Sequence, residues 1–276
     1  MAEILKMRVP ESLEQTPLAV QHLEGGVTRL VLNNPPANTL SETMLDSLAG
    51  ALQQAANDAT TRVLILAANG HLFCAGHDLK EMTPHREDDD SGRAYFADIM
   101  ERCSTVMQAI VNHPKPVIAE VNGLATAAGC QLVASCDLAI ASEDATFCTP
   151  GVHIGLFCST PMVALSRNVH RKHAMEMLLV GEAITPSHAR EIGLINRVVP
   201  VEYLEKITLR YARNIAKKSA HTLKIGKQAF YRQADLDLAS AYSQMSTTMV
   251  ENMLAQDADE GISAFLEDRT PEWRDE

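Results

Sequence analysis

The chain has 276 residues, which at about 150 residues per domain leaves room for one large domain or two modest ones. Its 35 acidic against 24 basic side chains give a formal charge of −11, with the two signs interspersed; this excludes a nucleic-acid surface built on clustered Lys and Arg. A composition 21% charged and 46% apolar is that of a globular rather than a disordered chain, and with aromatics at 4% the core has to be built from Leu, Ile, Val, Ala and Met.

In chain order, residues 1–20 show no clear period and read as a loose arm, with no apolar run of signal-peptide type and with acids that argue against a transit peptide. Residues 27–32 read as a strand closed by the turn Asn33-Asn34-Pro35-Pro36. Ser41 offers an N-cap to a helix whose face carries Met44, Leu45, Leu48 and Leu52. The continuous apolar run 62–67 (RVLILA), ending at Asn69-Gly70, predicts a strand covered on both faces, hence a sheet with helices packed on it. Residues 83–92 (TPHREDDDSG) read as a mobile, solvated loop rather than a metal site, because three successive Asp side chains point in different directions. Phe96, Ile99, Cys103, Val106 and Ile110 then mark an amphipathic helix that Pro114 ends.

Residues 116–121 and 136–141 are further expected strands, with Thr185, Pro186 and Gly193 as a helix start and stop. Residues 201–256 are helical in pattern and 261–266 resemble a short last helix. The expected organisation is an N-terminal arm (1–20), an α/β core (21–200) and a helical C-terminal region (201–276). The six cysteines, Cys74, Cys103, Cys130, Cys136, Cys148 and Cys158, form no C-x-x-C pair and read as buried thiols of a reducing compartment. No apolar run approaches the roughly 18 residues a spanning helix needs. A soluble, cytoplasmic protein without a membrane partner is the expectation.

Phosphate-loop, dinucleotide, zinc-helix and nucleophile-elbow patterns are absent as contiguous motifs. Two small-residue segments remain, 73–79 (FCAGHDL) and 122–130 (NGLATAAGC), each following an apolar strand and preceding a predicted helix start. Free N–H groups at such turns form anion-binding concavities, and two of them converging on one carbonyl would make an oxyanion hole.

Together with residues 73–82 (FCAGHDLKEM), 115–138 (KPVIAEVNGLATAAGCQLVASCDL), 154–156, 185–199 and 261–273, these segments resemble the crotonase (enoyl-CoA hydratase/isomerase) superfamily from about residue 20 to the C-terminus. Within it, residues 122–137 and 149–151 with 155–161 are most similar to the enoyl-CoA hydratase domain-containing protein 3 group. The resemblance implies a crotonase-like ββα spiral with a helical C-terminal trimerisation region, assembling as a homotrimer or a dimer of trimers. It implies an acyl-CoA thioester as partner in fatty-acyl-CoA metabolism, with no cofactor or metal beyond coenzyme A as part of the substrate. The two oxyanion N–H donors fall on His77 and Ala128, and His77, Asp78, Leu79 and Lys80 on substrate-contacting positions; Lys80 reads equally as a solvent-facing helix lysine.

Against this pattern, the positions where the family's hydratases carry carboxylates hold Gln131 and Gly151, and a third acid used in some relatives falls on Ser159. Hydration of an enoyl thioester needs a base to activate water and an acid to protonate the α-carbon, and neither an amide nor a glycine supplies them. Standard hydratase (lyase) activity is therefore expected to be weak or absent. A carboxylate put at 151 is expected to strain the loop if glycine there adopts a backbone closed to other residues. The His77 imidazole, or Cys158 or Ser159 with His153 beside it, are candidate substitutes that read more readily as structural. Two alternatives stand: a malonyl-type acyl-CoA decarboxylase, in which loss of CO₂ itself generates the enolate but whose tyrosine has no counterpart near Cys158, and a non-catalytic acyl-CoA sensor or scaffold.

Overall fold

A computed structural model describes residues 16–275. The chain enters through an antiparallel hairpin of β1 (Leu18–Leu23) and β2 (Val27–Leu32), turned by Gly25 and Gly26 at φ +83° and +75°. β1 overlaps the expected arm, whose residues 1–15 lie outside the described ones. Only Leu18 and Ala19 of this edge strand are buried, so it leaves no alternating pattern in the sequence. α1 (Glu42–Asn57) follows, started by the Ser41 hydroxyl accepting from the Met44 N–H at 3.2 Å, and buries Met44, Leu45, Leu48 and Leu52.

Three turns of one motif then stack. β3 (Val63–Ala68) leads to the three-residue β4 (Leu72–Cys74), then to α2 (Leu79–Met82) and α3 (Arg93–Val111). β5 (Val117–Val121) leads to β6 (Leu124–Thr126) and α4 (Ala128–Ser135). β7 (Leu138–Ser142) leads to β8 (Thr146–Cys148), a 3₁₀ turn at Pro150–Ile154 and α5 (Ser159–Asn168). β1, β2, β3, β5 and β7 form one sheet in that order, parallel from β2 onward and extended beside β7 by the short β9 (Arg197–Val199), and β4, β6 and β8 form a second parallel sheet in that order. Each turn of this ββα spiral lies directly on the last. A Cβ at Gly129 would overlap the Cys74 carbonyl oxygen, so only glycine permits the approach.

β3 is buried on both faces, as its unbroken apolar run requires. One face packs Leu64 and Leu66 with Met44, Leu48, Phe73, Ile99 and Phe147. The other packs Val63, Ile65 and Ala67 beneath Ala212 and Ala216 of α8 (Leu204–Ala216). Removing one such side chain, as in Leu66→Ala, costs about 2–5 kcal/mol.

The segment 83–92 is not the loose loop its polarity suggested. Thr83–Glu87 is a 3₁₀ turn, the His85 ring stacks on Tyr95 at 3.5 Å and pairs with Asp88 at 2.9 Å, and Asp90 accepts from the Gly92 and Ala94 N–H groups ahead of α3. His85, Asp88 and Asp90 are spent on local contacts, which composition does not reveal.

α6 (Arg171–Val180), α7 (Pro186–Glu191, with Thr185 as N-cap) and β9 (Arg197–Val199) complete the sheet side. The C-terminal region is α8 (Leu204–Ala216), α9 (Ala220–Gln233), α10 (Leu238–Met253) and α11 (Gln256–Leu266), the last beginning earlier than its pattern suggested. α9 is fastened to the spiral by Lys227, whose Nζ donates to Asp137 at 2.7 Å and to the Ile110 and Lys115 carbonyls, while Tyr231 donates to the same carboxylate at 2.9 Å. Among the described residues no helix is long and apolar enough to cross a membrane.

Candidate functional site

After β4 the chain turns through Ala75, Gly76 and His77. Gly76 holds φ +84°, and its carbonyl accepts from the Leu40 N–H at 2.8 Å. Asp78 then caps α2, its Oδ1 accepting from the Lys80 and Glu81 N–H groups and its Oδ2 from the Thr39 hydroxyl at 2.9 Å. Burial works to raise this carboxyl, but the bonds from Thr39, Lys80 and Glu81 outweigh it and hold it below the usual carboxylate range. Both Asp78 oxygens are thus engaged, one in capping α2 and the other by Thr39, whereas Leu79 and Lys80 stand exposed beside it.

The His77 ring is anomalous. Both nitrogens are buried and neither has a hydrogen-bond partner. Burial pushes the imidazole below its ordinary value, against a smaller opposing pull from the Leu40 backbone, so the ring is neutral at neutral pH.

The second turn follows β6. Ala127 sits at φ +51°, ψ −118°, a conformation costing a residue with a side chain about 1–3 kcal/mol, and is held there by its N–H donating to the Cys148 carbonyl at 3.0 Å. Ala128 then begins α4 with no side-chain cap. The two turns touch: a Cβ built on Gly76 would stand 3.0 Å from the Ala127 methyl and 3.2 Å from the Ala128 nitrogen. Neither the His77 nor the Ala128 N–H finds an acceptor among the described residues.

Gln131 lies one turn along α4, 4% exposed, its Oε1 buried without a partner. Gly151 is buried in the 3₁₀ turn, where a Cβ would stand 2.9 Å from the Leu156 carbonyl oxygen and 3.0 Å from Cys158 Sγ. Its φ is not left-handed, so crowding rather than backbone conformation bars a side chain there. Ser159 is exposed at the start of α5 and donates to the Phe157 carbonyl at 3.3 Å. His153 leans toward Gly181 at the end of α6, its Nε2 2.9 Å from a Cβ built there, and bonds to neither Cys158 nor Ser159. Burial raises the Cys130, Cys148 and Cys158 thiols, which marks them as packing groups rather than nucleophiles. The small-residue runs disclosed both turns. The His77 nitrogens without hydrogen-bond partners and the strained Ala127 left no trace in the sequence, since an alanine gives no sign of a positive φ.

Comparison with known proteins gives the family. Residues 22–276 match the family model described as enoyl-CoA hydratase/isomerase. The chain is 48% identical over 266 residues to the Mus musculus protein named enoyl-CoA hydratase domain-containing protein 3, mitochondrial, covering 96% of this chain and 87% of that one. The crystal structure of human enoyl-CoA hydratase domain-containing protein 3 superposes with a TM-score of 0.88 at 48% identity, over 93% of this chain and 100% of that one. A Mycobacterium smegmatis enoyl-CoA hydratase structure superposes at 0.89 with 49% identity, over 94% and 99%. The chain therefore belongs to the enoyl-CoA hydratase/isomerase, or crotonase, family.

Proposed function

We propose that this chain binds an acyl-CoA thioester and polarises its carbonyl between the His77 and Ala128 N–H groups, with little or no hydration of an unsaturated acyl group. The observation that supports the reading is the contact of Gly76 with Ala127 and Ala128, in two turns whose His77 and Ala128 N–H groups have no acceptor among the described residues. Each such donor is worth about 2.7–4 kcal/mol to charge developing on a carbonyl oxygen. Hydration also asks for a base and an acid, each worth about 10²–10⁴-fold, and neither the Gln131 amide nor Gly151 provides one. Exposed Lys80 suits the approach of a polyanionic nucleotide to an acidic protein, and the exposed Leu156 and Phe157 near Gly151 offer apolar surface to an acyl chain. No cofactor is called for beyond coenzyme A carried by the substrate. Isothermal titration with crotonyl-, malonyl- and long-chain acyl-CoA tests the reading. Binding of none of them by folded protein overturns it.

The raised thiols and the engaged Ser159 hydroxyl favour a second reading, a non-catalytic acyl-CoA sensor or scaffold. Mass spectrometry of the same panel separates the two, and would register decarboxylation as acetyl-CoA formed from malonyl-CoA. A homotrimer or dimer of trimers is part of the proposal, because no residue of α10 is buried within the chain and Leu238, Tyr242, Met249, Val250, Met253 and Leu254 stand exposed. Light scattering that returned a monomer at micromolar concentration would count against it. Six free buried thiols favour a reducing compartment, and cell fractionation distinguishes the cytoplasm, our expectation, from the mitochondria named for the animal relatives.

A further inference from the structure

The sequence holds two Asn-Gly pairs, Asn69-Gly70 and Asn122-Gly123, at the turns that join β3 to β4 and β5 to β6. The fold sets them side by side, since Asn122 Nδ2 donates to the Ala68 carbonyl at 3.2 Å and to the Gly70 carbonyl at 2.6 Å. An amide followed by glycine is chemically labile, because a nitrogen unshielded by a neighbouring Cβ can reach the side-chain carbonyl carbon.

Their surroundings differ. Asn122 has both amide protons in those two bonds, and its own carbonyl accepts from the Ser142 hydroxyl at 3.1 Å. Gly123 is buried, so closely that a Cβ there would overlap the His71 carbonyl oxygen. Asn69 and Gly70, by contrast, are exposed, and nothing lies within 4 Å of a Cβ built on Gly70. The Gly70 N–H finds no acceptor among the described residues. Among the same residues the Asn69 carboxamide is held by a single bond, from Nδ2 to Asn33 Oδ1 at 3.1 Å. Backbone bonds from Asn69 N–H to the Leu32 carbonyl and from Asn38 Nδ2 to the Asn69 carbonyl, both 2.9 Å, fix residue 69 and leave the attacking nitrogen free.

From this contrast we propose that Asn69 is a site of spontaneous deamidation in the folded protein and that Asn122 is protected from it. The Gly70 nitrogen forms a bond to Asn69 Cγ, its proton passing to a solvent base, and the side-chain nitrogen leaves as ammonia. Water then opens the cyclic imide at either carbonyl, giving aspartate or isoaspartate. Each event adds a negative charge at neutral pH, and the isoaspartyl product lengthens the main chain between β3 and β4 by a methylene.

The test is peptide mapping by mass spectrometry of the intact folded protein held in mildly alkaline buffer, beside the same chain unfolded in urea. In the folded protein the mass gain of amide to acid is expected at Asn69 about tenfold or more faster than at Asn122, where two hydrogen bonds to the leaving nitrogen must first break. Two products of equal mass, aspartyl and isoaspartyl, should separate by chromatography. In urea the two sites should react within about twofold of each other, as identical dipeptides without the fold's protection do. Gly70→Ala, which meets open space, should slow the reaction at Asn69 and leave Asn122 unchanged. Equal rates at the two sites in the folded protein, faster reaction at Asn122, or no mass gain at Asn69 after several times the period that converts the unfolded chain each overturns the proposal.

Discussion

Replacing Gly76 with alanine places a methyl group 3.0 Å from the Ala127 methyl and 3.2 Å from both the Ala128 nitrogen and the Thr126 carbonyl oxygen. Two costs combine. The left-handed backbone at φ +84° costs a residue with a Cβ about 1–2 kcal/mol, and overpacking a closed site typically costs about 1–3 kcal/mol more. The lower entropy of the unfolded alanine chain returns about 0.4–1 kcal/mol. The expected net loss is about 1–4.6 kcal/mol from these terms together. Gly70 provides the internal control, since it holds φ +83° yet has nothing within 4 Å of its virtual Cβ. Gly70→Ala carries the backbone cost alone. Urea unfolding of the two variants side by side should show Gly76→Ala losing about 1–3 kcal/mol more than Gly70→Ala, the difference being the packing of one turn on the other. Thioester affinity should fall only in Gly76→Ala, whose methyl displaces the Ala128 N–H. Equal stability losses in the two variants would show that the turns do not press on each other, and the construction of the site from their contact would be wrong.

Burial holds the His77 and His113 imidazoles below their ordinary value, whereas the unfolded chain takes up these protons at about pH 6.5. Their contribution to stability is therefore full above about pH 6.5 and is lost as pH falls toward the folded-state values; urea midpoints should drop between about pH 7.5 and 5.5, less so in His77→Phe, and an undiminished drop in that variant counts against a buried neutral ring. Lys227→Met leaves Asp137 without its buried cation and should cost about 3–5 kcal/mol, with hydrogen exchange in α9 accelerating before that of the spiral; uniform acceleration would refute the fastening role. Wild-type turnover of crotonyl-CoA should lie below about 1 per second, and Gln131→Glu should raise it measurably, while Gly151→Glu, which must displace the Leu156 carbonyl and Cys158 Sγ, should lose stability instead. Wild-type hydration at about 1–10³ per second would mean that another group supplies acid and base.

What could be seen in the sequence follows from how much of each element is buried and how long it is. α1 declared itself through Ser41 and its apolar face, α7 through Thr185-Pro186 and Gly193, and β3 through a run buried on both sides. β1 escaped because it is a half-exposed edge, and β4, β6 and β8 because three residues are too few to establish a period. The candidate site divides along the same line. Its glycines advertised close backbone approach, but the obstacle at Gly151 is a neighbouring carbonyl and thiol brought by tertiary packing, which no local pattern encodes. Asp78, read only as a contact position, is also a helix cap, with partners from Thr39 as well as from the residues just after it.

The two unengaged N–H groups belong to the main chain, and every residue except proline has one. Whatever side chain stands at position 77 or 128, the donor persists so long as the turn keeps its shape, and that shape is enforced from a distance by Gly76, Gly129 and the bond from Ala127 to Cys148. Side chains such as those at 131 and 159 are separable from it and can change one at a time without disturbing the donors. A scan of the site by alanine substitution would therefore mislead: His77→Ala deletes a ring and retains the donor, whereas a single methyl added at Gly76, a residue with no functional group, would shift one.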